Sequence, residues 1–225
     1  MKATFLGQAG WLIDTNGVKI LIDPYLSDYV KSVNPASYRR QPIDEQYLHI
    51  LPDFLLISHD HIDHNDPETM PHYLDAGGHI TVLTPRSVWE RIQRRDGNNY
   101  IDFNRHSVWH EKGITITAVK AAHSDPAGIG FLIEAEGKTV YYSGDTLYNT
   151  EIFEDVPHSP DVMFVVINGV GNNMNLESAK VLAAQLAPKT VFPMHFGMLD
   201  DTTPEEIEAK VPTWTVPRIY HTYDI

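Results

Sequence analysis

The chain contains no cysteine. That excludes disulfides, thiolate metal ligands and a thiol nucleophile, and it fits a cytoplasmic protein. Basic residues are scarce as well. Against 30 Asp and Glu stand 17 Lys and Arg, a formal charge of −13. This balance repels nucleic-acid backbones and anionic membrane surfaces, so neither is expected as a partner. No apolar run approaches the roughly 20 residues of a membrane span. The segment Met1 to Gly7 is interrupted too soon to read as a signal peptide. No repeat or low-complexity tract divides the 225 residues, 42% of them apolar. One globular domain over 1–225 with a real core is expected.

Histidine, by contrast, is plentiful, with twelve in all. Three imidazoles and two carboxylates fall within His59–His64, directly after the apolar run Phe54-Leu55-Leu56-Ile57. That run reads as a buried strand, so the histidines begin in a loop at its end. Neutral imidazoles offer lone pairs and carboxylates supply charge, a set suited to a divalent metal.

The pattern recurs along the chain. Ile114–Val119 reads as a strand and His123 follows it. Thr139–Tyr142 is followed by Ser143-Gly144-Asp145, in which the glycine allows close approach. The apolar run Val162–Ile167, expected to be a central strand, ends in Asn168-Gly169. Thr190–Met194 ends in His195. The remaining histidines (His49, His72, His79, His106, His110, His158 and His221) lack this context and are expected at the surface or in the core.

Around these motifs the local signals are conventional. Thr15-Asn16-Gly17 joins two β-rich runs as a hairpin. Asp23 before Pro24 suits either a turn or support of a metal site. Asp66 and Pro67 are expected to open a helix running to about Asp75. Asn175 is expected to cap an amphipathic helix that ends before Pro188. Thr203-Pro204-Glu205-Glu206 is a capping box opening a helix over about 204–210. Residues 25–52, rich in proline and tyrosine, read as a long irregular flap over a site. Its one basic pair, Arg39-Arg40, reads as a solvated surface pair, the alternative being contact with an anionic substrate.

The ordered set His59-x-His61-x-Asp63-His64, His123, Asp145 and His195 resembles the metallo-β-lactamase superfamily over essentially the whole chain. The resemblance implies an α/β fold, a four-layer αββα sandwich with its site at one edge of two packed sheets. It implies a first metal site of His59, His61 and His123, a second of Asp63, His64 and His195, and Asp145 as the bridging carboxylate. Within the superfamily, Asp66-Pro67-Glu68-Thr69, Ile167-Asn168-Gly169, Asn173-Met174-Asn175 and Pro193-Met194-His195-Phe196 are similar to the L-ascorbate-6-phosphate lactonase branch, although this chain is much shorter. β-Lactamases with a cysteine ligand are disfavoured, and so are flavin-linked diiron relatives, whose carboxylate replacement and extra domain are not seen here.

The implied cofactor is one or two divalent ions, Mn²⁺ or Zn²⁺ with Fe²⁺ also compatible. Two such ions sharing a water lower its pKa and hold it as hydroxide, which attacks a carbonyl carbon or a phosphorus. The expected function is hydrolysis of a small ester or lactone, including a phosphorylated sugar lactone. The alternative is a phosphodiesterase acting on a small or cyclic diester. Asp63 and His195 are the expected catalytic residues, with Asp63 freed as a general base if one metal binds. Asn168 and Asn175 are expected to bind the small-molecule substrate, though Asn175 also reads as a plain N-cap. A homo-oligomer is compatible with the resemblance.

Overall fold

Consecutive apolar residues in the N-terminal runs bury both faces of each strand, and the architecture follows from that. The computed structural model describes residues 1–225. In chain order, strands β1 (Lys2–Gly7), β2 (Gly10–Thr15) and β3 (Val18–Ile22) are followed by helix α1 (Tyr29–Val33) and a 3₁₀ turn (Glu45–His49). Next come β4 (Phe54–Leu56), α2 (Met70–Leu74), β5 (Thr81–Thr84), α3 (Arg86–Ile92) and β6 (Asn99–Asp102). Strands β7 (Val108–Glu111), β8 (Ile114–Lys120), β9 (Ile129–Ala135) and β10 (Lys138–Tyr142) precede α4 (Ile152–Asp155) and β11 (Val162–Val166). The chain closes with α5 (Leu176–Leu186), β12 (Thr190–Met194), α6 (Pro204–Lys210) and β13 (Thr222–Asp224).

These strands form two sheets, ordered β13-β1-β2-β3-β4-β5-β6 and β12-β11-β10-β9-β8-β7. Phe5, Trp11, Ile13, Ile22 and Phe54 of the first sheet meet Ile116, Phe131, Ile133, Phe164 and Phe192 of the second in one buried cluster. Trp11 is the keystone, its ring 4.1 Å from that of Phe164 and 5.5 Å from that of Phe192. The opposite faces are covered by helices. Leu12, Leu21, Leu55 and Val82 pack on Met70 and Tyr73 of α2 and Val88 of α3. Leu132, Tyr141, Met163 and Val165 pack on α4, α5 and α6 through Ile152, Leu182 and Ile207. The result is the expected αββα sandwich.

The pairing also fixes which edge carries the loops. β2 is antiparallel to β1 and β3, and β4 is parallel to β3, so β1, β3 and β4 end on one side. In the second sheet β9 is antiparallel to β8 and β10, while β11 and β12 are parallel to β10. Hence β8, β10, β11 and β12 also end together. Polar residues that follow these strands are therefore gathered, although they lie far apart in sequence.

Local outcomes mostly match the signals. Asn16 and Gly17 take positive φ in the hairpin turn. Asn175 caps α5 by accepting from Ser178 N at 2.9 Å, and the Thr203–Glu206 capping box forms at α6. The helix expected from Pro67 begins instead at Met70. The Asp66 side chain accepts from Glu68 N at 3.1 Å and from the Thr69 hydroxyl, holding 67–69 in a turn first. The stretch 25–52 is not wholly irregular, since α1 and the 3₁₀ turn lie within it.

Candidate metal centre

The loop after β4 brings His59, His61, Asp63 and His64 to the gathering edge. Asp60, in the same loop, turns away and meets Arg91 at 2.7 Å and Asn65 at 3.0 Å. His123, Asp145 and His195 arrive from the second sheet. Three sets have ligand atoms within 4.8 Å of one another: His59, His61 and His123; Asp63, His64 and His195; and Asp23, His59 and His64, the last joined on the outward side of the two rings, so that the first two are the candidate ion sites. In the first, His61 Nδ1 lies 3.0 Å from His59 Nε2 and 3.1 Å from His123 Nε2. In the second, His195 Nε2 lies 3.1 Å from His64 Nε2 and 3.2 Å from Asp63 Oδ2. Asp145 stands between these two. Its Oδ2 is 4.0 Å from His59 Nε2, 3.9 Å from His123 Nε2 and 3.2 Å from His195 Nε2, and its Oδ1 is 3.4 Å from His64 Nε2. The seven other histidines are all exposed and stand outside all three sets.

The partners of the outward ring nitrogens decide which nitrogen faces inward. His64 Nδ1 is 2.8 Å from Asp23 Oδ2 and donates to it, leaving the Nε2 lone pair inward. His59 Nδ1 is 2.9 Å from Ser58 Oγ, which donates in turn to Asp23 Oδ2 at 2.5 Å. His123 Nδ1 donates to Asn172 O at 3.0 Å. Asp23 is wholly buried and also accepts from Ser58 N at 2.7 Å and Tyr142 Oη at 2.6 Å. Of the two readings of Asp23, support of the site is the one observed, and its φ of 42° shows that it turns the chain as well. Gly144 is required beside Asp145. With φ +58°, a Cβ there would lie 2.7 Å from Ile129 O and 3.2 Å from Ser58 Cβ.

Charge follows the same division. Burial, then His64, pushes His59 well below its usual range, and burial lowers His61 too, so these two rings are neutral. Burial also opposes charge on His195, but Asp145 and Asp63 outweigh it and push His195 up to about 9. His64 is raised for the same reason by Asp145, Asp23 and Asp63. Asp63 and Asp145 would be raised by burial, yet the facing imidazoles hold both well below the carboxylate range.

These residues fit divalent cations. Inward lone pairs converge in the first set, two carboxylates serve the second, and buried Asp145 Oδ1 has no hydrogen-bond partner. An oxygen-and-imidazole donor set of this kind accommodates Mn²⁺, Zn²⁺ or Fe²⁺.

Asn168 Nδ2 lies 2.8 Å from His195 Nδ1, facing the centre. Asn175 does not: it is exposed and its side-chain oxygen caps α5. Two further residues touch the centre and were not anticipated. Gln8 Nε2 is 2.9 Å from Asp63 Oδ2 and 3.1 Å from each ring nitrogen of His195. Asn173 Nδ2 donates to Asp145 Oδ2 at 2.7 Å. Gln8 follows Gly7, the last residue of β1, so the strand-end rule applied to amides would have found it.

Two packed sheets with helices outside, and paired His/Asp sets on one edge, define a protein of metallo-β-lactamase type. A family model described as "Beta-lactamase superfamily domain" matches residues 2–195. The chain is 30% identical over 200 residues to a "UPF0173 metal-dependent hydrolase" of Korarchaeum cryptofilum, covering 87% of this chain and 83% of that protein. The chain therefore belongs to the beta-lactamase superfamily and, within it, to the UPF0173 metal-dependent hydrolase family. It is also 30% identical over 165 residues to "N-acyl-phosphatidylethanolamine-hydrolyzing phospholipase D 1" of Caenorhabditis elegans, covering 64% of this chain and 46% of that one. Among solved structures, Igni18, a metallo hydrolase from Ignicoccus hospitalis, shares the fold. Its TM-score is 0.74 at 24% identity, over 100% of this chain and 98% of that one.

Proposed function

We propose that this protein is a hydrolase of small esters or lactones that works with two divalent ions. His59, His61 and His123 would hold one ion, Asp63, His64 and His195 the other, and Asp145 would stand between them. Asp145 carries this reading: a buried carboxylate within 4.0 Å of ring nitrogens of both sets, with one oxygen left without a donor. Divalent ions in such a site supply Lewis acidity and lower the pKa of water.

The chain's own residues supply the rest. Asp63 stays ionised, a ligand where both ions are bound and the candidate base where only one is. His195, whose proton Asp145 and Asp63 favour against burial, would be a neutral ligand while its ion is bound and is the candidate donor to a departing oxygen only where the second set is empty. Gln8 and Asn168 hold the His195 ring from two sides. Asn168 is also the candidate contact to a substrate hydroxyl, whereas Asn175 is exposed and its side-chain oxygen is taken by the cap of α5. The similarity to a lactonase branch supports a lactone, including a phosphorylated sugar lactone.

The likeness to a phospholipase D favours a second reading, hydrolysis of a small phosphodiester. One experiment separates the two. Elemental analysis of protein purified without chelator is paired with a lactone panel and a phosphodiester panel. Nearly two equivalents of Mn or Zn with lactone turnover support the first reading, and turnover of diesters alone supports the second. Absence of bound metal, with no activity after adding Mn²⁺ or Zn²⁺, overturns both.

A further inference from the structure

Beside the candidate metal centre lies a cavity of about 620 Å³, within the range of sites that hold small molecules. Gln8 and Phe196 line its inner end. Gln8 also touches Asp63 and His195, and Phe196 follows His195, so one side chain separates the cavity from the centre. Phe5, Met198 and Ile219 give it apolar wall; its charged lining is Arg39, Arg40 and Arg218 with Asp201 and Glu205, of which Glu205 pairs with Arg218 at 3.7 Å.

Arg39 and Arg40 differ in how their charge is met. Arg40 donates to Gly197 O at 2.9 Å and lies 3.3 Å from the fully exposed Asp201, a solvent-screened pair. Arg39 is half-buried and no carboxylate meets its guanidinium. That group instead donates to the carbonyls of Tyr25 and Leu6 and lies 3.2 Å from Tyr220 Oη, while its buried Nε has no partner. Gly7 makes room for it: with φ +90°, a Cβ there would lie 3.2 Å from Arg39 Nη2 and 2.9 Å from Ile219 Cδ1. In a chain of formal charge −13, a positioned cation without an acid partner at a cavity wall is complementary to an anion. At the inner end, Gln8 Oε1 is buried and accepts from nothing.

We infer that this cavity is a substrate subsite for the non-reacting part of a small molecule with a terminal oxyanion, carboxylate or phosphate, on an apolar body. The oxyanion sits against Arg39 and Arg40, the body against Phe5, Phe196 and Ile219, and a hydroxyl or amide N–H near the reacting bond donates to Gln8 Oε1. This assignment rests on the hydrolytic reading of the adjoining centre. It reverses the expectation that Arg39-Arg40 is a solvated pair, since Arg39 is half-buried and pinned.

The test has a binding arm and a turnover arm. Phenylphosphonate and glutarate are titrated calorimetrically into the metal-loaded protein, its Arg39→Gln variant and its Arg40→Glu variant. Losing a charge-assisted contact is expected to weaken binding about tenfold or more in each. Arg40 is exposed, so its variant is informative even if Arg39→Gln fails to fold. Stronger loss with one probe tells phosphate from carboxylate. In parallel, kcat/KM is compared for the 4-nitrophenyl esters of glutaric acid and butyric acid. The charged ester is expected to be favoured about tenfold or more, and the ratio to fall towards one in Arg40→Glu. Binding of both probes that is absent, or equal in all three proteins, overturns the subsite whatever the turnover. Variant-sensitive binding without turnover of either ester upholds the subsite and counts against the ester reading of the centre, leaving the phosphodiester reading to the diester panel.

Discussion

Asp23→Asn is the sharpest perturbation of the centre, because Asp23 touches no inward-facing nitrogen yet dictates which nitrogens face inward. Its Oδ2 accepts from Ser58 Oγ, His64 Nδ1 and Tyr142 Oη, and its Oδ1 accepts from Ser58 N. An asparagine keeps the shape and tolerates the left-handed φ of 42°, so the backbone is unstrained. The amide cannot satisfy these donors in either orientation. With its NH₂ towards His64, that ring must move its proton to Nε2 and lose its inward lone pair. With its NH₂ towards Ser58 N, two donors face each other in a site of zero exposure. Two contacts to a charged acceptor are weakened, which costs about 3 kcal/mol. At roughly 2–4 °C per kcal/mol for a chain of this size, Tm falls by about 6–12 °C. Metal affinity should drop about 10–100-fold. Differential scanning calorimetry and competition with a chromophoric chelator read the two effects. Wild-type Tm together with wild-type metal affinity in Asp23→Asn would refute the idea that Asp23 sets the tautomers.

Further outcomes follow from the same geometry. Saturating Mn²⁺ or Zn²⁺ at about 100 times Kd should stabilise the chelator-treated protein by about 2.7 kcal/mol, and a thermal shift that is absent with both ions would speak against the centre. Gly144→Ala should cost about 2 kcal/mol or more, since the new Cβ meets Ile129 O at 2.7 Å in a left-handed backbone; urea denaturation measures it. Asp155 would be raised by burial, but Arg105 and Lys120 N outweigh this and hold its carboxyl below the usual range. Its stabilisation is complete above its unfolded pKa of about 3.9 and is lost as pH falls through the lower folded value. Asp155→Asn should therefore be less stable at neutral pH and show a shallower acid limb in denaturation curves taken across pH.

The layers and most of the centre were legible because one rule governs both. A β-rich run gives a strand, and a His or Asp directly after it lands at the strand's end. Parallel ends then collect His59, His123, Asp145 and His195 without any knowledge of topology. What stayed hidden obeys longer-range causes. β13 and β6 are short and carry few apolar residues, and they exist because β1 and β5 offer them ladders. Asn173 reaches Asp145 only because Gly169 N bonds Met174 O at 3.0 Å and Met174 N bonds Thr146 O at 2.8 Å, folding the loop over. The late start of α2 reflects competition from the Asp66 side chain, which composition does not reveal. The role of Arg39 depends on Leu6 O and Tyr220, residues 33 and 181 positions away.

The pairing of β1 with β13 carries a consequence for how the molecule is made. Lys2 faces Asp224, Ala3 faces Tyr223 and Thr4 faces Thr222, so β1 leaves the ribosome long before β13, the strand that completes its hydrogen bonds. Until then one side of β1, with Phe5 and Leu6 beside it, is an unpaired template in the nascent chain. Synthesis rather than temperature is the stage at which this fold is most exposed to intermolecular strand addition. Deleting residues 222–225 should show itself first as lower soluble yield, ahead of any change in the centre at the far ends of the strands.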